Sequence, residues 1–319
     1  MKILRRLLIG TLGIFGLLLI WGFLIEPYRV DVEEEVAEIP ALPSNWQGEQ
    51  VGLISDLQIG MWWDNVSTIR RIVDQLVQQS PELVLITGDL VYEPGINSAA
   101  KIRQVVELIR PLPEAQISTY VVLGNHDYLA PSDAADADSF AEQLEAALEA
   151  AGISVLQNEA IAVSSPDSNN SENTRSENRQ NALYLVGIGA HRPDQDAPLY
   201  AVRQLPSDAA RVVFMHNPAS FAQLPAGAAP FAVAGHTHGG QIRIPFTPDW
   251  TWMVFLTDGK PAWDWIDQIR GEDVRASGWI DGYGQAGNHL YINRGIGFSS
   301  IPIRFNCPPE LTLFTLQRG

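Results

Sequence analysis

At 319 residues and 35.1 kDa, with 46% hydrophobic residues, the chain can bury the core of one large α/β domain or two small ones, which excludes disorder of the whole. A formal net charge of −16 and a pI near 4.7 argue against a nucleic-acid partner, because non-specific binding to a phosphate backbone needs clustered Lys and Arg. The single cysteine, Cys307, rules out an intrachain disulfide and a thiolate zinc cluster and is expected to be a small packed apolar residue.

The N-terminal "MKILRR" carries three basic residues, and "LLIGTLGIFGLLLIWGFLI" then runs uncharged over residues 7–25, the length of a membrane-spanning helix. The acidic "EPYRVDVEEEVAE" follows it. The positive-inside rule then gives a single-pass cell-membrane protein with residues 1–6 in the cytoplasm and the rest outside. No small-x-small cleavage site follows the run, which favours an uncleaved signal anchor over a cleaved signal peptide. Residues 26–50 read as a juxtamembrane linker and edge segment, and residues 51–319 as the folded domain.

Within that domain "VSTIRRIVDQLVQQ" sets Val66, Ile69, Ile72, Val73, Leu76 and Val77 on one helical face, and Pro81 stands just past its end. "ELVLITGDL" then reads as a buried strand, "KIRQVVELIR" as a helix, "STYVVLGNHD" as a strand and "ADSFAEQLEAALEAAG" as a third helix stopping at Gly152. Such alternation predicts an α/β domain with buried, largely parallel strands. The polar, aperiodic segment 164–181 is expected to be a mobile surface loop. Beyond it strands dominate: "ALYLVGIG", "RVVFMHN", "PFAVAGHTH", "HLYINRGIG" and "ELTLFTLQ". Residues 248–280 hold five of the nine tryptophans and read as an inserted subdomain, either a small packed core or a cap whose tryptophans suit an amphiphilic partner.

Five apolar runs end on residues that can bind a cation: "VGLIS" on Asp56, "LVLIT" on Asp89, "TYVVL" on Asn125, His126 and Asp127, "RVVFM" on His216, and "FAVA" on His236 and His238. Ligands of open α/β sheets sit at the carboxyl ends of strands, so these five ends should converge. Any one of them is explained by turn chemistry. Five in series, with four of the six histidines among them, are not. Imidazoles, carboxylates and an amide carbonyl suit manganese, iron or zinc better than calcium, and the number of donors points to two ions. His236 and His238, and likewise Asp56 and Gln58, lie two apart and in extended backbone would share a side. Gly88, Gly124 and Gly235 are expected to permit sharp turns and close approach of a ligand.

In order, "DLQ", "GDL", "GNHD", "HN" and "GHTH", each behind a strand, resemble the signature of the calcineurin-like metallophosphoesterases. "GHTHGGQIRIP" and the tail "YINRGIGFSSIPIRFNCPPELTLFTL" are similar to a bacterial membrane-associated branch of that family. The resemblance covers nearly all of the chain after residue 25. It implies two packed mixed β-sheets flanked by helices, and two divalent ions, manganese foremost, with iron, zinc or magnesium as alternatives. By position it makes Asp89 the bridge, gives Asp56, Gln58 and His238 to one metal, and gives Asn125, His216 and His236 to the other. His126, backed by Asp127, would face the scissile phosphate and serve the leaving oxygen. The implied reaction is hydrolysis of a phosphomonoester, phosphodiester or pyrophosphate bond by metal-activated hydroxide. Arg243 and Arg294 are candidates for contacting the substrate phosphate. Gln58 departs from the family pattern, which has His there, so a metal-binding scaffold that has lost turnover is the rival reading.

Overall fold

The computed structural model describes residues 2–95, 97–128, 134–163, 182–191, 195–245, 251, 276–280 and 282–319. The expected mobile loop 164–181 lies outside the described residues, as does the Trp-rich insertion 248–280 apart from residues 251 and 276–280. The apolar N-terminal run is helical. Helix α1 (Lys2–Ile20) has no buried residue, and a wider π-turn over Trp21–Ile25 and a 3-10 turn over Glu26–Tyr28 carry it into the domain. The continuous helical run Lys2–Tyr28 is long and apolar enough to cross a membrane.

The first six-stranded sheet contains β1 (Asp31–Ile39), β2 (Gln50–Ile54), β3 (Leu83–Thr87), β4 (Ser118–Val122), β5 (Ser154–Val155) and the C-terminal β12 (Glu310–Arg318), in the order β1-β12-β2-β3-β4-β5. The second contains β6 (Glu159–Val163), β7 (Leu183–Ile188), β8 (Arg211–Met215), β9 (Ala232–Ala234), β10 (Gly278–Ile280) and β11 (Leu290–Ile292), in the order β10-β11-β9-β8-β7-β6. β2 to β5 run parallel, as do β7, β8, β9 and β11, while β12 with β2, β6 with β7 and β10 with β11 are antiparallel. Both sheets are therefore mixed, as the resemblance implies.

Side-chain alternation explains how the layers stack. Leu53, Leu85 and Val122 of the first sheet meet Leu185, Phe214 and Val233 of the second across a buried middle layer. Ile54, Val84, Ile86 and Val121 point the other way, onto α2 (Val66–Gln79), α3 (Ser98–Ile109) and α5 (Ala134–Ala150), packing with Ile69, Ile72, Leu76, Val105 and Leu144. A third cluster, including Val186, Val213, Ala201 and Phe221, covers the outer face of the second sheet, where the short helix Pro198–Arg203 lies. Strands buried on both faces are apolar at nearly every position, as "LVLIT" and "RVVFM" are.

Residues 26–50 include a full edge strand. β1 pairs with β12 in parallel along its whole length, Asp31 with Glu310 to Ile39 with Arg318. Because β12 is antiparallel to β2, with Thr312 opposite Leu53, β1 begins at the edge where β2, β3 and β4 end. The chain enters the domain on the side to which its parallel strands point.

Candidate metal centre

The five predicted strand ends do meet, at the seam between the two sheets, but not through extended backbone. Asp56, Gln58, Asp89, His236 and His238 all have left-handed φ, between 50° and 74°. Each such non-glycine residue costs on the order of 1–2 kcal/mol, so the turns are held by their surroundings. The extended geometry expected for Asp56 with Gln58 and for His236 with His238 is thus replaced by left-handed turns. Backbone bonds fasten these turns to each other: Asp56 N donates to Gly88 O (3.0 Å) and Gln58 N to Asp89 O (2.9 Å). Of the glycines expected to turn sharply, Gly88 has positive φ (82°). Gly124 and Gly235 serve close approach instead: a Cβ there would stand 2.2 Å from Asp89 Oδ1 and 1.8 Å from Ser55 Oγ respectively.

The side chains converge around Asp89, which is buried. Its Oδ1 accepts from His126 N (2.8 Å), its Oδ2 accepts from Gln58 Nε2 (2.8 Å), and His216 Nε2 lies 3.3 Å from Oδ1. His216 Nδ1 meets the Thr87 carbonyl at 2.8 Å, which puts a ring proton on Nδ1 and turns Nε2 toward the site. Around that nitrogen stand Asn125 Oδ1 and His236 Nδ1, each 3.0 Å away. Gathered lone pairs of this kind repel unless a proton or cation stands among them. On the other side Asp56 accepts from Ser55 Oγ (2.6 Å) and from His236 N (3.0 Å), with His238 Nε2 at 3.5 Å. Among the described residues, Gln58 Oε1 and His238 Nδ1 are buried without a hydrogen-bond partner. Two groups, Asp89 with His216 and His236, and Asp56 with Asp89 and His238, each bring their donor atoms within 4.8 Å of one another and share Asp89. The donor set fits divalent cations.

The charges follow from this packing. Burial alone would raise Asp89, but the attraction of His216, His126 and His236 outweighs it and holds the carboxyl well below its usual range. Burial opposes the charge on His216 too, yet Asp89 and Asp56 push it up to about 9. His236 is lowered by burial and by the neighbouring His216, and burial brings His238 down to about 4.

His126 belongs to neither group and is half-buried. Its ring stacks on Tyr92 (centroids 5.3 Å apart, planes at 18°), and its Nδ1 contacts the Tyr92 carbonyl. The expected support from Asp127 is not what the structure places there: the two Asp127 oxygens accept from Val91 N (3.0 Å) and Gly124 N (2.8 Å), so this fully buried carboxyl braces the backbone of the turn. Burial and the charge of Asp89 push it up to about 7 against those two donors. Arg294 is likewise turned away from a substrate role. Its guanidinium lies 2.6 Å from Glu33, 2.9 Å from Glu310 and 3.6 Å from Asp31, carboxylates that a phosphate would have to displace. Arg243 is half-buried and donates to Gly239 O (3.1 Å) and to Ser277.

Several supporting residues carry no motif of their own. Gly295 and Gly297 back onto the first strand end, where a Cβ would meet Asp56 Cβ and Gln58 Cβ at 2.7 and 2.6 Å. Arg304, fully buried, donates to the carbonyls of Arg294, Gly295, Gly297 and Cys307 and so holds that loop. Cys307 is packed as expected, with Sγ 3.3 to 3.4 Å from the carbonyls of Gly239 and His238. The spacing "RGIG" was the available signal for the loop. Nothing local marks Tyr92.

Comparison with known proteins decides the family. Residues 50–240 match the model for the calcineurin-like phosphoesterases. The chain belongs to that family. It is 30% identical to the phosphodiesterase YaeI of Escherichia coli over 75% of this chain and 72% of that one. It is 23% identical to the uncharacterised metallophosphoesterase YkuE of Bacillus subtilis, over 92% and 87% of the two chains, and 23% identical to the UDP-2,3-diacylglucosamine pyrophosphatase LpxG of Chlamydia muridarum, over 92% and 91%. Membership makes the chain a metal-dependent phosphoester hydrolase by class.

Proposed function

We propose that the protein is a dinuclear metal-dependent phosphoesterase, anchored in the cell membrane by residues 7–25 with its N-terminus cytoplasmic, that cleaves a phosphodiester or pyrophosphate bond in an amphiphilic substrate. The observation that carries the reading is the pair of donor groups sharing Asp89. Asp56, Gln58 and His238 would hold one cation, Asn125, His216 and His236 the other, with Asp89 between them. Bound divalent cations supply charge neutralisation at the phosphate and activation of water.

The remaining chemistry falls to His126. With Nδ1 turned to the Tyr92 carbonyl, Nε2 is the ring atom left to face a substrate, and from there it hands a proton to the leaving oxygen. The activities for which YaeI and LpxG are named support phosphodiester and pyrophosphate bonds as the class, and the apolar N-terminal helix supports a substrate at a membrane.

The test uses the full-length protein with manganese and bis-p-nitrophenyl phosphate. His126→Ala should lower turnover by roughly a hundredfold or more while metal content stays intact. Loss of metal together with activity would make His126 a ligand. A wild-type protein that holds its metal yet hydrolyses no phosphoester would return the scaffold reading.

A further inference from the structure

The seat of the N-terminal helix against the domain is built from many contacts. Gly22 O accepts from Arg304 N (3.0 Å), and a Cβ on Gly22 would meet Ile303 at 2.9 Å. Glu26, buried, accepts from Cys307 N. The Pro27 carbonyl takes Asn65 Nδ2 (2.7 Å) and Thr68 Oγ1 (3.3 Å), and Arg71 donates to Tyr28 O at 2.5 Å. The segments that receive these contacts, the start of α2 and the loop 293–307, are bonded in turn to the strand end that carries Asp56. Asn65 Nδ2 also donates to Ile296 O (3.2 Å), and Ile296 N and Gly297 N donate to the carbonyls of Ser55 and Asp56. Cys307, bonded to Glu26 through its backbone, touches the His238 and Gly239 carbonyls through its sulfur. The base of the helix is therefore one loop away from Asp56 and His238.

Around that base the surface changes character. Trp62 is 71% exposed and Trp63, Trp21 and Ile301 are exposed too: Trp62 meets the Trp63 ring, Trp63 Nε1 reaches Tyr28 Oη at 3.1 Å, and Ile301 lies two residues from the Ile303 that faces Gly22. Arg29, stacked over the Trp21 ring, and Arg71 stand in the same place, both exposed, in a chain whose net charge is −16. Trp and Tyr with Arg at the end of an apolar helix is the composition of a membrane–water interface. These side chains are continuous with a helix that has no partner for its apolar surface among the described residues.

We infer that the Trp62–Trp63 loop and Ile301 rest in the headgroup layer of a phospholipid bilayer, and that this contact, with the docked helix, fixes the metal-bearing edge of the domain against the membrane. The inference rests on the membrane-anchored reading above and adds the orientation. The enzyme then works on a phosphate in the headgroup layer of the membrane that holds it, and a substrate free in bulk solution must find its way to that edge.

The experiment places an environment-sensitive fluorophore at Trp62→Cys in the full chain, reconstituted into phosphatidylcholine nanodiscs, with Ser207→Cys as the counterpart. Ser207 is exposed near the amino end of β8, opposite the edge where β8 delivers His216, and Cys307 is fully buried and does not compete for label. The label at 62 should emit at shorter wavelength than that at 207 and lose intensity when brominated lipid replaces the normal acyl chains; the label at 207 should lose intensity to iodide alone. A label at 62 that behaves like 207 while the chain stays in the disc overturns the inference. A label at 62 shielded from both quenchers makes the patch a protein interface and overturns it as well. Neither readout needs turnover, so a failure of the phosphoesterase reading shows separately, in the chromogenic assay.

Discussion

Gln58 divides its amide between two tasks. Its Nε2 holds the shared carboxylate of Asp89 at 2.8 Å, and its buried Oε1 has no hydrogen-bond partner among the described residues. Gln58→Ala removes both, so retention of metal should weaken by about 10–100-fold, the usual effect of losing an orienting partner, with partial rescue of activity by excess manganese. Gln58→His should shift preference toward zinc or iron, measured as metal content after dialysis against mixed ions. An alanine variant with unchanged metal content would show that the amide is dispensable. Asp127 makes a second test. Asp127→Asn puts an NH2 group against one of two buried backbone N–H donors, which should cost about 1–3 kcal/mol in a denaturant titration. Were Asp127 only an orienting partner for His126, stability would hold and turnover alone would fall.

At the scale of elements, α2 offers a prediction free of the site. It ends on Ser80 with φ 51°, ψ 54°, a left-handed cap where a serine is strained and glycine is not. Ser80→Gly should raise the unfolding midpoint by an amount equivalent to roughly 0.5–1 kcal/mol, the relieved strain less the added freedom of the unfolded chain. A lower midpoint would mean that the Ser80 side chain contributes more than its strained backbone costs. Helices of this kind were legible because burial of one face imposes a period on the sequence: Ile69, Ile72, Val73 and Leu76 are buried, while Val66 and Val77 at the rim are half-buried. The five strand ends were legible for a related reason, since chemistry-bearing residues after apolar runs need no long-range information. β1 was not. Its "DVEEEVAEI" reads as part of a linker and edge segment, but the strand it pairs with lies at the other end of the chain, and the acidic residues along it, which discourage pairing with other molecules, carry no sign of that partner. The partner of Asp127 and the role of Tyr92 were hidden too, because both depend on how two turns from different strands pack.

For the whole molecule, the candidate centre is one place where the two sheets are joined by more than apolar contact; Trp279 Nε1 to Glu35 and Tyr291 Oη to Glu310 are others. Asp56, Asp89 and Asn125 come from the ends of β2, β3 and β4, and His216 and His236 from the ends of β8 and β9. Cations bound among them would hold the first sheet to the second at the edge, where the buried middle layer ends. Since the donors are brought together only in the fold, metal should bind the native state and not the unfolded chain, and stabilise it by mass action. A free ion concentration a hundredfold above its Kd contributes about 2.7 kcal/mol. For a domain of this size that corresponds to a rise in melting temperature on the order of 5–10 °C. Full-length protein stripped with chelator in nanodiscs should therefore melt lower and recover on titration with manganese, and His216→Ala should remove much of the manganese-dependent part. Manganese uptake, measured by elemental analysis, with no change in melting would mean that the unfolded chain binds the ions as well as the native state does, and the assignment of the uptake to a centre assembled by the fold would have to be withdrawn.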